Sequence, residues 1–223
     1  GRVSNYQRLY KIRLSDFASL GYKQGHYYDS FDFMWQDDSY VYHNVRTLNT
    51  CVVGRYAKDL STYGEVSFSG TSVYSYGGFC YDGYCYVAAL YGTATRIYKH
   101  STSSWRGTAT LIATYAGYDE PRSMVFDGSK YVYLTRLSSP GVVYRILFSD
   151  WSVVDSIIFD TNHNGSYNLS LGADHLVCGC TSATYGSIEL MEVRSTIQTT
   201  KYKTSGAYIS EELAITDTSF YLD

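Results

Sequence analysis

The chain has 223 residues, 18 basic against 21 acidic, with no block of either sign. That length allows one all-β domain or two small ones and buries a sizeable core without staples. The absence of a basic stripe argues against a nucleic-acid partner, and no apolar run approaches the eighteen residues of a membrane-spanning helix. Tyrosine is the compositional outlier, with 26 copies against two prolines. It favours strands and offers an apolar body with a polar tip. Five cysteines make an odd count, and none has zinc-type spacing with histidine.

In chain order, the first strand expected is "LYKIRL" (9–14), followed by the turn "SDFASL" and a further strand to residue 22. A hairpin "FMWQDDSYVYH" (33–43) leads into "CVVGRY" (51–56). Next comes "FCYDGYCYVAAL" (79–90), whose Asp82-Gly83 is a strong hairpin signal between alternating apolar runs, then "TRIYKH" (95–100). The stretch 123–159 gives "SMVF", "KYVYLTRL", "VVYRILF" and "VVDSIIF", joined by Asp127-Gly128, "SSPG" and "SDWS". "LSLGADHLVCGC" (169–180), "IELMEV" (188–193) and "LAITDTSFYLD" (213–223) complete the series. No stretch reads as a convincing helix.

The series is periodic. Tyr40, Tyr86, Tyr131, Leu176 and Phe220 follow one another at 46, 45, 45 and 44 residues. A second set, the apolar residue after a turn, steps by 43, 45, 46 and 46 through Phe17, Leu60, Trp105, Trp151 and Ile197. Four strands per unit of about 45 residues describe a propeller blade. The fold expected is all-β, a single-domain five-bladed β-propeller with four antiparallel strands per blade. Its blades are 207–223 plus 1–22, 23–72, 73–116, 117–162 and 163–206. The closing blade is shared between the termini, which hides both cut edges. Phe33, Phe79, Met124, Leu169 and Leu213 share one inner-strand slot, and Trp35, Tyr81, Phe126, Leu171 and Ile215 share another.

These repeats resemble the blades of kelch-like and WD-like propellers, without their repeated Gly-Gly or Trp-Asp dipeptides. The spacing is similar to that of propellers in phage tails and secreted bacterial proteins. The blade number is similar to tachylectin-type lectins and several glycoside-hydrolase families. The resemblance is architectural and transfers no binding motif.

The loops entering each inner strand open on one face near the axis: "GHYYDSFD", "TSVYSYGG", "AGYDEPRS", "HNGSYNLS" and "SGAYISEE". Each carries tyrosine, and Tyr28, Tyr74, Tyr118, Tyr167 and Tyr208, with Asp29, are the candidate ligand-binding residues. Sugars stack C–H faces on aromatic rings and pair hydroxyls with polar groups. The function expected is therefore a non-enzymatic, lectin-like module for glycans or a cell-surface receptor, at an extracellular or virion surface. It needs no cofactor or metal, and other subunits of a larger assembly are possible partners. The alternative expectations are a structural part of such an assembly, or a glycoside hydrolase or lyase. The enzyme would use carboxylates at the mouth: Asp32, Glu120, Glu211 and Glu212. Facing carboxylates are what glycoside hydrolysis requires. The five histidines read as surface or turn residues. Cys80 and Cys85 face each other across the Asp82-Gly83 turn and are expected to be free thiols.

Overall fold

A computed structural model describes residues 8–24, 33–46, 50–71, 73–118, 120–138, 140–159, 163–172, 175–182, 186–192, 213–215 and 218–220. Among these residues there is no helix, and every sheet is antiparallel. A two-stranded sheet, β1 (Arg8–Ile12) and β2 (Ser19–Gln24), opens the chain. Three four-stranded sheets follow, each in meander order. They are β3 (Met34–Gln36), β4 (Tyr40–Arg46), β5 (Thr50–Ala57) and β6 (Tyr63–Thr71); then β7 (Val73–Tyr81), β8 (Tyr84–Tyr91), β9 (Ala94–Ser101) and β10 (Thr110–Ala116); then β11 (Pro121–Phe126), β12 (Tyr131–Arg136), β13 (Val142–Leu147) and β14 (Val153–Ile158). A three-stranded sheet of β15 (His163–Leu171), β16 (His175–Ser182) and β17 (Gly186–Glu192) precedes a two-stranded one, β18 (Leu213–Ile215) and β19 (Thr218–Phe220).

The sheets stack like blades because their middle strands are apolar on both faces. In β8, Cys85, Val87 and Ala89 turn toward the second sheet and join Trp35, Tyr42, Val53 and Phe68. The intervening Tyr86 and Ala88 turn the other way, onto Met124, Val132, Leu134 and Ile146. In β12, Tyr133 faces the next seam, with Leu169, Leu176 and Cys178. A period-two strand buried on both sides is what a stacked sheet demands. The first strands of successive sheets also touch: β3 on β7, β7 on β11, and β11 on β15.

In the three four-stranded sheets, the turn between third and fourth strands packs on the preceding sheet. Leu60 lies 3.8 Å from where a side chain on Gly21 of β2 would begin. Trp105 packs edge-on to Tyr42, 5.2 Å between centroids, and against Phe68. Trp151 stacks on Tyr86 at 5.7 Å, and its carbonyl accepts from the Tyr115 hydroxyl at 2.8 Å. Each of these three sheets thus lays its outer turn on the sheet before it.

Asp82 and Gly83 both have positive φ, 49° and 73°, the type I′ geometry expected of this hairpin. Asp127-Gly128 differs. The pairing Phe126↔Val132 leaves five residues in the loop, and the Asp127 carboxylate accepts from the backbone N–H groups of Ser129, Lys130 and Tyr131. The histidine expectation is corrected for two of the five. His43 and His100 are buried on strands. Ring nitrogens of both meet backbone carbonyls: His43 Nδ1 that of Asn44, and His100 Nδ1 and Nε2 those of Ser101 and Arg106. Gly54 makes room for His43, since a Cβ there would lie 2.3 Å from Nε2.

Candidate functional site at the entry of the inner strands

The stretches read as entry loops prove to be partly strand. Tyr74 and Tyr167 lie within β7 and β15. The pairing of these strands slips at their entry ends: between Ser75 and Gly78 in β7, between Pro121 and Met124 in β11, and between Asn164 and Asn168 in β15. Three successive first strands therefore carry an irregularity at one level of the stack. A bulge bends the strand and re-aims its side chains, and it recurs beside functional sites.

Counting back from Phe79, Met124 and Leu169 puts Gly77, Arg122 and Tyr167 in one slot. Gly77 has no space for a side chain, because a Cβ would lie 2.5 Å from the Met124 nitrogen and 2.7 Å from the Ser123 Cα. The two inner strands meet there backbone to backbone. In the next sheet the slot holds a cation. The Arg122 guanidinium lies 5.3 Å from the Tyr76 ring centroid and 3.5 Å from a Glu120 carboxylate oxygen. Arg122 is mostly buried, while Glu120 keeps 43% of its side chain exposed.

The local backbone holds this pair in place. Glu120 has φ 48°, a left-handed conformation that costs a non-glycine residue about 1–3 kcal/mol and persists only where surroundings over-determine it. Its carbonyl accepts from the Leu137 N–H at 2.9 Å. The bulge leaves Ser123 without a regular ladder partner, and buried Thr135 replaces it. The Thr135 hydroxyl accepts from the Ser123 N–H at 2.8 Å and donates to the Ser123 carbonyl at 3.3 Å.

Tyr118 lies two residues before Glu120 in the chain. Its ring stacks on Tyr144 at 4.3 Å and on Tyr115 at 5.6 Å, and its carbonyl accepts from the Thr95 hydroxyl. Arg136 reaches the Tyr144 hydroxyl at 3.4 Å. Burial, reinforced by Tyr144, raises the Tyr118 pKa, and burial pushes Tyr115 further up. The Tyr118 ring is thus engaged in the packing of its own and the neighbouring sheet. Tyr28, Asp29, Asp32, Tyr208, Glu211 and Glu212 lie outside the described residues. Among the described residues, no three His, Cys, Asp or Glu side chains converge as a metal site.

Of the sequence candidates, the structure places Glu120 in this pair, while Tyr118 packs on Tyr115 and Tyr144. It adds Arg122, Tyr76 and Thr135, which the sequence reading passed over. The slot alignment with Gly77 and Tyr167 was the available signal for Arg122. Chemically, the arrangement offers a partly exposed carboxyl group able to take or give a proton, beside a guanidinium able to meet an anionic oxygen.

No family model matches the sequence, and no curated protein matches it. Solved structures do match in fold. A candidate 6-phosphogluconolactonase from Bacteroides uniformis has a TM-score of 0.65 at 14% identity, over 94% of this chain and 68% of that one. A luciferin-regenerating enzyme has a TM-score of 0.61 at 7% identity, over 88% and 74%. Myxococcus xanthus glutaminyl cyclase has a TM-score of 0.50 at 10% identity, over 82% of each. At such identities the likeness establishes an all-β, propeller-like fold. The comparisons also correct the functional expectation. The preference for a non-enzymatic module is overturned, because the structures sharing this fold are named chiefly for enzymes. The enzyme alternative fits them better.

Proposed function

We propose that this chain is a five-bladed propeller enzyme acting on carbohydrate at the entry of its inner strands, as a glycoside hydrolase or lyase. The observation that carries the reading is the Glu120–Arg122 pair, held on a bulge by a strained backbone and a buried threonine. Glu120 supplies the carboxyl group for proton transfer at the glycosidic oxygen or the adjacent carbon. Arg122 meets negative charge on an acidic sugar or on the departing oxygen. Asp32, Glu211 and Glu212 are the candidates for the second carboxylate.

The five-blade count follows from the 45-residue period. The closing blade would join β18–β19 to β1–β2, two strands from each end making the four of a blade. The large apolar side chains exposed along β1–β2, Tyr10, Ile12, Leu14, Leu20 and Tyr22, support such a partner.

The test is release of new sugar ends from a panel of neutral and uronate-containing oligosaccharides. Glu120→Gln is expected to lower kcat by about 10²–10⁴-fold with an unchanged melting temperature. Arg122→Gln is expected to raise KM on the acidic sugars more than on neutral ones. A panel with no cleavage, or a Glu120→Gln chain as active as the parent, overturns the reading.

A further inference from the structure

The opposite end of β7 carries a second reactive constellation. Cys80 and Cys85 are register partners one step from the type I′ turn, with Tyr81↔Tyr84 between them and Asp82-Gly83. In a two-residue hairpin the pair beside the turn exchanges the hydrogen bonds. The next pair is the non-hydrogen-bonded one, with Cα atoms about 4.5 Å apart and side chains on one face. That separation lies within the range a disulfide accepts, at its short end. Both cysteines are free thiols.

Their surroundings differ. Cys85 is fully buried among Trp35, Val87 and Tyr42, and its sulfur accepts from the Trp35 indole N–H at 3.4 Å. Cys80 packs on the same cluster but is only partly buried and lines a cavity of about 490 Å³. Gln36, Asp38, Lys58, Asp82 and Thr102 also line this cavity. Contact with Cys85, then burial, pushes the Cys80 thiol well above the usual cysteine range. Cys80 borders the cavity, and Cys85 lies in the core behind it.

We propose that Cys80 and Cys85 form a thiol–disulfide exchange site for small disulfides, with Cys80 as the entry thiol and Cys85 as the resolving thiol. Cys80, losing its proton to solvent, attacks one sulfur of the incoming disulfide. An S–S bond forms to Cys80, and one small thiol leaves with the electron pair and takes up a proton. Cys85 then attacks the Cys80 sulfur, giving the protein disulfide and releasing the second small thiol. The chain is oxidised by two electrons and the incoming disulfide is reduced by two. A short cross-strand bridge of this kind is readily reopened by a dithiol.

The experiment treats the native full-length chain with an aryl disulfide that releases a coloured thiolate, followed by acid quench and peptide mapping. The expected product in the 80–85 segment is an internal bridge, two hydrogens lighter, with no retained aryl adduct, and a dithiol reductant restores both thiols. In Cys85→Ser the adduct stalls on Cys80. In Cys80→Ser, modification of Cys85 in the native chain is lost. An adduct that persists on Cys80 of the parent chain overturns the proposal. So does a Cys80 that stays unmodified in the native chain while reacting once the chain is unfolded. The parent-chain mapping decides the matter even where a core variant fails to fold.

Discussion

Phe17 and Trp105 occupy one slot of the repeat and live in opposite surroundings. Phe17 is 79% exposed, and Trp105 is 7% exposed, wedged between Tyr42, Phe68 and His100 with the Arg55 guanidinium 5.0 Å from its ring. What the slot shares in most sheets is backbone. Asp16, Asp59 and Asp150 each accept from the N–H two residues on, and Phe17, Leu60 and Trp151 follow them with φ of 54°, 65° and 62°. Trp105 lacks the positive φ and sits in a longer turn pinned by His100 to the Arg106 carbonyl. The repeat therefore specifies where the chain turns. The neighbouring sheet decides whether the apolar side chain at that turn contributes to stability.

The largest effect expected follows directly. Trp105→Ala should cost about 3–5 kcal/mol, as for a buried aromatic, whereas Phe17→Ala should stay within about 0.5 kcal/mol, as for an exposed side chain. Denaturant unfolding of the two variants measures the difference. Equal losses would mean that the seams contribute no more than the outer hairpin.

Next in size is a contrast between two glycines. Gly77 lies against the β11 backbone, whereas a Cβ added to Gly179 in β16 would meet nothing within 4 Å. Gly77→Ala should destabilise by about 1–3 kcal/mol through overpacking at the inner strands. Gly179→Ala should stabilise by about 0.4–1 kcal/mol by restricting the unfolded chain. Melting curves with the opposite sign for either would break the picture of sheets meeting backbone to backbone at their inner edges.

The sequence made some of this legible for identifiable reasons. Third strands were readable because alternation and turn residues are local, and "TRIYKH" and "VYRILF" fall on the strands β9 and β13. Asp82-Gly83 was readable because both residues tolerate positive φ. Asp127-Gly128 carries the same dipeptide, but its carboxylate gathers three N–H groups and opens a wider loop, a choice that depends on the residues after the turn. The buried histidines were not readable, since His43 stacks on Tyr56 and Tyr63, which come from other strands. At the candidate site, Glu120 was legible as an acid in an entry segment. Arg122 was legible only as the residue in the slot of Gly77 and Tyr167; its meeting with Glu120 depends on a bulge that a one-residue count of alternation cannot show.

A third prediction separates buried seams from exposed hairpin by pH. Burial pushes the Tyr133 hydroxyl up to about 12, and Tyr56 and Tyr42 further. These raised values favour the neutral phenols in the folded state. Their contribution is complete below the ordinary tyrosine value of about 10 and is lost as pH climbs through about 12. Unfolding should therefore coincide with tyrosinate absorbance across that window. Among the described residues the buried Tyr133 hydroxyl has no hydrogen-bond partner. Tyr133→Phe should then be neutral or stabilising by up to about 1 kcal/mol and should blunt the alkaline loss. A destabilised Tyr133→Phe chain would show that its hydroxyl has a partner in solution.

The smallest effect sharpens the opening contrast most. Phe17 spends about 1–2 kcal/mol on its left-handed backbone, and glycine relieves that at an entropic cost of about 0.5–1 kcal/mol. With so little side-chain burial to lose, Phe17→Gly should be neutral or stabilising by up to about 1 kcal/mol. Trp151→Gly gains the same backbone relief but gives up stacking on Tyr86 and edge contact with Phe148, so it should be clearly destabilised. Paired denaturation curves give both values. Should Phe17→Gly instead lose more than about 1 kcal/mol, an amount typical of an interior substitution, then Phe17 is covered in solution. The apolar face of β1–β2 around the turn would then have a partner sheet.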